Sequence, residues 1–295
     1  PVCDTPHLAF ARIGEPLAEK PYIVRRGLAY KLDSITTDID AGFLASGGIG
    51  EARAALEAGQ LREIGRVAEL GRRGAPIAGI GKVVCVGLNY RDHAEETGAA
   101  LPAEPVLFLK DASTIVGPDD TVLIPRGSSK TDWEVELAVV IGATARYLED
   151  AEQALACIAG YTIAHDVSER DFQLERGGQW DKGKSCETFN PLGPWLIPAT
   201  EVPDPQALGL RLWVNGALRQ NGNTKEMLFG VAELVRYISQ FMVLGLETAS
   251  IPARRPVSRS GNLTRSLTCV PVTSSKLRST DLGNNGNASR RPEDR

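Results

Sequence analysis

Asp132-Trp133-Glu134-Val135-Glu136-Leu137-Ala138-Val139-Val140-Ile141 is the stretch on which the reading of the fold turns. Successive side chains of a strand point to opposite sides, so Trp133, Val135 and Leu137 share one face and Glu134 and Glu136 the other. From Leu137 onward the alternation gives way to an unbroken apolar run, as in a strand entering an interior. Acids carried inside need a partner. Two carboxylates two residues apart stand roughly 7 Å apart along one side of a strand. A hard divalent cation relieves their repulsion by taking oxygen from both. A strand with one wet face would show the same pattern.

Working outward, residues 82–87, 106–109, 121–124 and 160–164 are short, β-branched and bounded by Gly, Pro or Asp, and read as strands. Residues 210–214 and 217–219 flank Asn215-Gly216, a hairpin signal, since Asn-Gly supplies the positive φ angles of a tight turn. Two further strands are expected over 8–13 and 22–32. Helices are expected over 51–70, from the spacing of Leu56, Leu61, Ile64, Val67 and Leu70, and over 90–97, 150–158 and 231–242. Gly71, Gly74 and Pro76 interrupt the chain. This divides it into a small N-terminal α+β module, residues 1–76, and a larger, mainly β domain over 77–244. The fold class is α+β.

The 295 residues are 42% hydrophobic and 24% charged, the composition of a globular protein with a sizeable core. No run of eighteen apolar residues is present and no signal peptide is visible, so the expectation is a cytoplasmic protein without a membrane partner. The cysteines at 3, 85, 157, 186 and 269 have no zinc-ligand spacing. A net charge of −4 argues against nucleic acid as a partner. The charge is uneven: residues 251–295 hold nine of the 33 Lys+Arg and three of the 37 Asp+Glu. That tail also lacks Phe, Trp and Tyr, so it has little with which to offset the entropy of ordering.

Three other segments carry candidate chemistry. In Gly87-Leu88-Asn89-Tyr90-Arg91-Asp92-His93-Ala94-Glu95-Glu96, a strand leads into a helix on which His93 and Glu96 share a face. A carboxylate there orients an imidazole and raises its basicity, as a general base requires; a solvated helix face would place them in the same way. Asp166 ends the apolar run Tyr161-Thr162-Ile163-Ala164-His165 and adds a third carboxylate to Glu134 and Glu136. Gly183-Lys184-Ser185 resembles a phosphate loop, but Trp180 and Asp181 fill the loop and prolines follow too soon. Lys184 reads better as a charge partner for an anionic substrate.

Together these segments resemble the fumarylacetoacetate hydrolase family. The likeness runs from about residue 81 to 244. It is carried by Gly87-Leu88-Asn89-Tyr90 leading to His93, Phe108-Leu109-Lys110 and Asp132-Trp133-Glu134-Val135-Glu136. It continues through Asp166-Val167-Ser168-Glu169-Arg170-Asp171, Gly183-Lys184-Ser185 and Asn223-Thr224. The resemblance implies a mixed β-roll or sandwich fold and an enzyme, dependent on Mg²⁺ or Mn²⁺, that cleaves a C–C bond in 2,4-dioxo acids through a metal-stabilised enolate. Such substrates are acylpyruvates or 2,4-dioxo-3-deoxy sugar acids. It places the metal on Glu134, Glu136 and Asp166, water activation on His93 and Glu96, and enolate stabilisation on Lys184. Lys110, Arg170 and Gln173 fall at substrate-contacting positions. A cytoplasmic homodimer is expected, with a small 2-oxo acid as ligand. Other branches of the family decarboxylate or isomerise 2-oxo acids through the same kind of site.

After Leu244 the chain departs from the family, which continues with a Pro-Gly-Asp strand entry and a Thr-Gly-Thr-Pro-Ala-Gly-Val loop. Back-translation shows that codons for residues 246–248 and 251–258, read one base out of register, permit both segments. The expectation is that one nucleotide is missing near codon 245, leaving residues 245–295 out of frame and disordered. The competing reading is a native basic tail that binds an acidic partner. The altered tail also raises the alternative of a catalytically impaired metal-binding protein.

Overall fold

The computed structural model describes residues 6–91, 101–245, 248–252, 267–270, 286–287 and 289–290. Strands β1 (Ala9–Ile13), β2 (Lys20–Arg25), β3 (Leu28–Lys31) and β4 (Glu63–Arg66) form an antiparallel sheet in that order. Helices α1 (Ala41–Ala45) and α2 (Gly48–Glu57) lie between β3 and β4. Asp40 caps α1 by accepting the Phe43 amide at 2.9 Å. The helix expected over 51–70 is corrected here. It stops at Glu57, and Gly59 takes φ +68°, which a helix cannot continue through. The following residues pair with β3 as β4, giving that strand's backbone its partners. Ile64 and Val67 keep a helix-like spacing but pack on the main core.

The larger domain opens with β5 (Lys82–Gly87) and β6 (Val106–Lys110), which pair antiparallel. Short strands β7 (Ile115–Val116), β8 (Val122–Leu123) and β9 (Thr131–Asp132) lead to β10 (Val135–Ile141). After α3 (Ala151–Ala156), β11 (Ile158–His165) returns beside β10 from Ile141↔Ile158 to Val135↔His165. Then come β12 (Ser168–Glu169), α4 (Asp181–Lys184), β13 (Asn190–Pro191) and β14 (Ile197–Pro198). The hairpin β15 (Gly209–Val214) and β16 (Ala217–Asn223) turns at Asn215 and Gly216, both at positive φ. Helix α5 (Val231–Ile238) buries Val231, Leu234, Val235 and Ile238, one stripe of a 3.6-residue period.

The central sheet has the order β14-β11-β10-β17-β5-β6, where β17 is Thr248–Pro252. All seven residues of β10 are buried. Val135, Leu137, Val139 and Ile141 face the main core with α5, while Ala138, on the opposite face, packs with Cys85, Ala164 and Leu192. Residues 248–252 belong to the segment expected to be disordered, yet they run parallel to β5 and antiparallel to β10. The physical reason is that the facing edges of β5 and β10 carry backbone donors and acceptors that only an intervening strand satisfies. Within the same segment, β18 (Leu267–Val270) pairs with β15, β19 (Gly286–Asn287) with β18, and β20 (Ser289–Arg290) with β8. Phe10 and Leu196 exchange backbone hydrogen bonds at 2.9 Å, joining the N-terminal sheet to the larger domain. Among the described residues no helix is long and apolar enough to cross a membrane.

Candidate active site

The ends of β10 and β11 assemble one cluster of charge. The amide of Asp166 donates to the Glu134 carbonyl at 2.9 Å, carrying the ladder one step past the strands and setting the two acids side by side. Strand β12 then pairs with β9, Ser168 opposite Asp132, so that Arg170 comes over Asp132 and Glu134. The wide turn at Asp171–Glu175 returns Gln173 to the same spot. Lys110 ends β6 and Lys184 ends α4. Two glycines permit this closeness. A Cβ on Gly87 would stand 2.5 Å from the Trp180 ring, and one on Gly183 would collide with the Glu169 carbonyl and Gln173.

The cluster is dry. Lys110, Asp132, Glu134, Glu136, Asp166, Arg170, Gln173 and Lys184 are all buried. Lys184 Nζ donates to Glu134 Oε2 at 2.7 Å and to Asp166 Oδ2 at 2.6 Å. Lys110 Nζ donates to the other Asp166 oxygen at 2.5 Å and to the Val167 carbonyl at 3.1 Å. Arg170 spans Asp132 Oδ2 (Nε, 3.0 Å), Glu134 Oε1 (2.5 Å) and Gln173 Oε1 (2.9 Å). Beneath Lys184 lies the Phe108 ring, its centroid 5.1 Å from Nζ, and Trp180 packs edge-on against Phe108. Among the described residues Asp132, Glu134 and Asp166 pair with Lys110, Arg170 and Lys184.

Removing water shifts these groups in directions set by their neighbours. Burial pushes the Glu134 carboxyl up against the pull of Arg170 and Lys184, and pushes Asp132 up against Arg170. Burial would raise Asp166 too, but Lys110 and Lys184 together hold it well below the usual carboxylate range. Lys110 is drawn down by burial despite Asp166. For Lys184 burial is again the largest influence and lowers it, yet Asp166 and Glu134 together carry the balance upward.

The residues expected to act together therefore do meet, in part. Lys110, Glu134, Asp166, Arg170, Gln173 and Lys184 form one bonded network. Glu136 is fully buried one strand-repeat from Glu134. His93 and Glu96 lie outside the described residues. The hard oxygens of Glu134, Glu136 and Asp166 have the donor chemistry of a Mg²⁺ or Mn²⁺ site. Among the described residues no three His, Cys, Asp or Glu side chains are gathered as a bound ion would gather them. Glu134 and Asp166 converge on the Lys184 ammonium instead. The sequence reading passed over Asp132, although a period of two from Glu134 puts it on the same face. It also passed over the Phe108–Trp180 wall, which no local pattern announces.

A sequence model described as fumarylacetoacetate (FAA) hydrolase C-terminal matches residues 82–251. A Burkholderia multivorans protein with a provisional hydrolase name is 48% identical over 234 residues, 79% of this chain and 81% of its own. The fumarylacetoacetate hydrolase of the psychrophile Exiguobacterium antarcticum superposes with a TM-score of 0.80 at 28% identity, covering 96% of this chain and 99% of that one. A 5-carboxymethyl-2-hydroxymuconate delta-isomerase from Mycobacterium smegmatis gives 0.72 at 30% identity, covering 96% and 98%.

Proposed function

The chain belongs to the fumarylacetoacetate hydrolase family, and from that premise we propose that it hydrolyses a C–C bond in a 2,4-dioxo acid and releases a 2-oxo acid. The observation that carries this reading is Lys184 Nζ, held out of water at 2.6 and 2.7 Å from two carboxylates that fix its position. A preorganised cation in a dry site stabilises negative charge that appears only as a bond breaks. Here that charge is the enolate left when water adds to the distal carbonyl and the C–C electron pair moves to the departing 2-oxo acid. Lys110 adds a second cation beside Asp166. Arg170 and Gln173 orient the substrate carboxylate, and His93, set by Glu96, takes the proton from the attacking water. Glu134, Glu136 and Asp166 would hold a divalent cation, Mg²⁺ or Mn²⁺, whose Lewis acidity polarises the 2-oxo carbonyl.

The test is incubation with acetylpyruvate and Mg²⁺ or Mn²⁺, with pyruvate, acetate and CO₂ measured together. Equal pyruvate and acetate without CO₂, abolished by chelation and absent in His93→Ala, is the expected result. Release of CO₂ in place of acetate would reassign the site to decarboxylation. The isomerase likeness favours a second reading, proton transfer without cleavage, which would show as a shifted double bond in an unsaturated dioic acid with no second product.

A further inference from the structure

We propose that Asn190 is a specificity residue that hydrogen-bonds a hydroxyl group on the substrate beside Asp166, so that the preferred ligand is a hydroxylated 2-oxo acid. The inference rests on the reading above and adds to it the chemistry of the substrate's side chain. Asn190 is fully buried, and among the described residues neither its Nδ2 nor its Oδ1 has a hydrogen-bond partner. A buried carboxamide left unpaired is unfavourable, so these two atoms call for a partner.

Its place in the fold says what that partner touches. Strand β13 is held on one side by β7, Asn190 opposite Ile115. On the other side Ala164 and Leu192 form an antiparallel bridge, secured by Gly193 N to Ile163 O at 2.9 Å. Extending that antiparallel register two residues outward sets Asn190 across from Asp166, and the alternation of side chains turns both to the Ala164–Leu192 face. Asp166 in turn lies beside Glu134. Glu134, Asp166 and Asn190 thus form a row across three neighbouring strands. The first two are committed to Lys184, Arg170 and Lys110. Asn190 has no such commitment among the described residues.

The open atoms select the ligand group. A carboxylate or ketone only accepts, and would use Nδ2 while leaving Oδ1 buried and unpaired. A hydroxyl both donates and accepts, and satisfies both ends of the carboxamide. A site built to bond a hydroxyl discriminates strongly against the analogue that lacks it, because its own polar atoms are then stranded.

Binding of 5-hydroxy-2-oxopentanoate and of 2-oxopentanoate to the full chain with Mg²⁺ can be followed by calorimetry. Neither acid carries the 4-oxo group that cleavage needs, so the readout does not depend on turnover. We expect the hydroxylated acid to bind at least about tenfold more tightly, and Asn190→Ala to erase that preference while leaving 2-oxopentanoate unaffected. Equal affinity of the unmodified protein for the two acids overturns the inference whatever the variant does. So does an Asn190→Ala protein that weakens both alike. A preference found in a protein that cleaves no 2,4-dioxo acid would sustain Asn190's role and remove the hydrolase reading; cleavage without preference would do the reverse.

Discussion

Where the N-terminal sheet meets the larger domain, Arg72 grips Asp120 at 2.5 and 2.7 Å and Glu19 at 2.8 Å, and Arg12 grips Asp38 at 2.6 and 2.9 Å. Around Lys184 the same residue types pair at the same distances. What differs is water. The Arg72 and Asp120 side chains are 21% and 23% exposed, whereas those of Lys110 and Asp166 are 0%. Pair distance therefore says little about what an ion pair is for. For the Arg72–Asp120 pair, water screens both attraction and desolvation, and the pair is worth a fraction of a kcal/mol to about 1 kcal/mol. In the interior the cost of stripping water from each ion rivals the attraction, so the buried network adds little net stability as a whole and yet tolerates no missing member. A protein keeps such a network for what the charges do.

Removing one member of the buried network should show that asymmetry at its largest. Glu134→Ala leaves Arg170 and Lys184 each short of a carboxylate in a dry site. The expected outcome is complete loss of turnover and a stability loss of about 3–5 kcal/mol in urea unfolding. A variant with full activity would break the assignment of this cluster as the active site. Gly87→Ala is the next largest. Its new Cβ would meet the Trp180 ring at 2.5 Å and push it off Phe108, the wall that keeps Lys184 dry. A loss of about 1–3 kcal/mol is expected, with lower kcat because water gains access to the cations. Unchanged unfolding would mean that Trp180 swings aside freely.

The seam gives the contrast. Arg72→Ala should cost about 1–2 kcal/mol, part of it from Glu19, whose side chain is only 7% exposed, with kcat and KM unchanged. The effect should shrink further in 0.5 M salt, where the Debye length is only a few ångströms, near 4 Å. If Arg72→Ala instead abolished activity as Glu134→Ala should, the two clusters would be one functional unit, and the distinction drawn from exposure would fail.

The two clusters were unequally legible in the sequence, and for a physical reason. Glu134 and Asp166 adjoin apolar runs of the chain, so an acid there stands out as needing a partner, whereas Lys184 lies in the polar stretch 181–187 and was read from its Gly-Lys-Ser setting and the family resemblance. The strands Lys82–Gly87 and Val135–Ile141, the second beginning right after Glu134, were equally plain, as was the Asn215-Gly216 turn. Glu19, Asp38, Arg72 and Asp120 are surface residue types outside apolar runs, Arg12 is a lone charge within the apolar strand Ala9–Ile13, and only the tertiary fold makes them neighbours. Asn190 is hidden for the same reason, since its register against Asp166 is set by Ala164 and Leu192 from two different segments. The helix expected over 51–70 failed because apolar spacing alone cannot see the turn at Gly59 or the open edge of β3. His93 and Glu96 lie outside the described residues.

The smallest effect probes the rim of the buried cluster. Cys186, two residues past Lys184 and partly exposed, has its thiol pushed up to about 11, chiefly by burial and further by Glu169, with Lys110 pulling the other way. Two lysines nearby would by themselves favour the thiolate and invite reaction. Their charge is already spent on Asp166 and Glu134, so the rim feels dryness more than positive potential. The thiolate is the species that reacts, so the alkylation rate at Cys186 should climb about tenfold per pH unit through pH 8, 9 and 10, levelling off only near 11. Peptide mapping after timed iodoacetamide treatment reads this rate at residue 186 alone. A plateau already at pH 8 to 9, the range of an ordinary cysteine, would mean that the lysines project uncompensated charge to the surface and that the interior network is less fully paired than its distances imply.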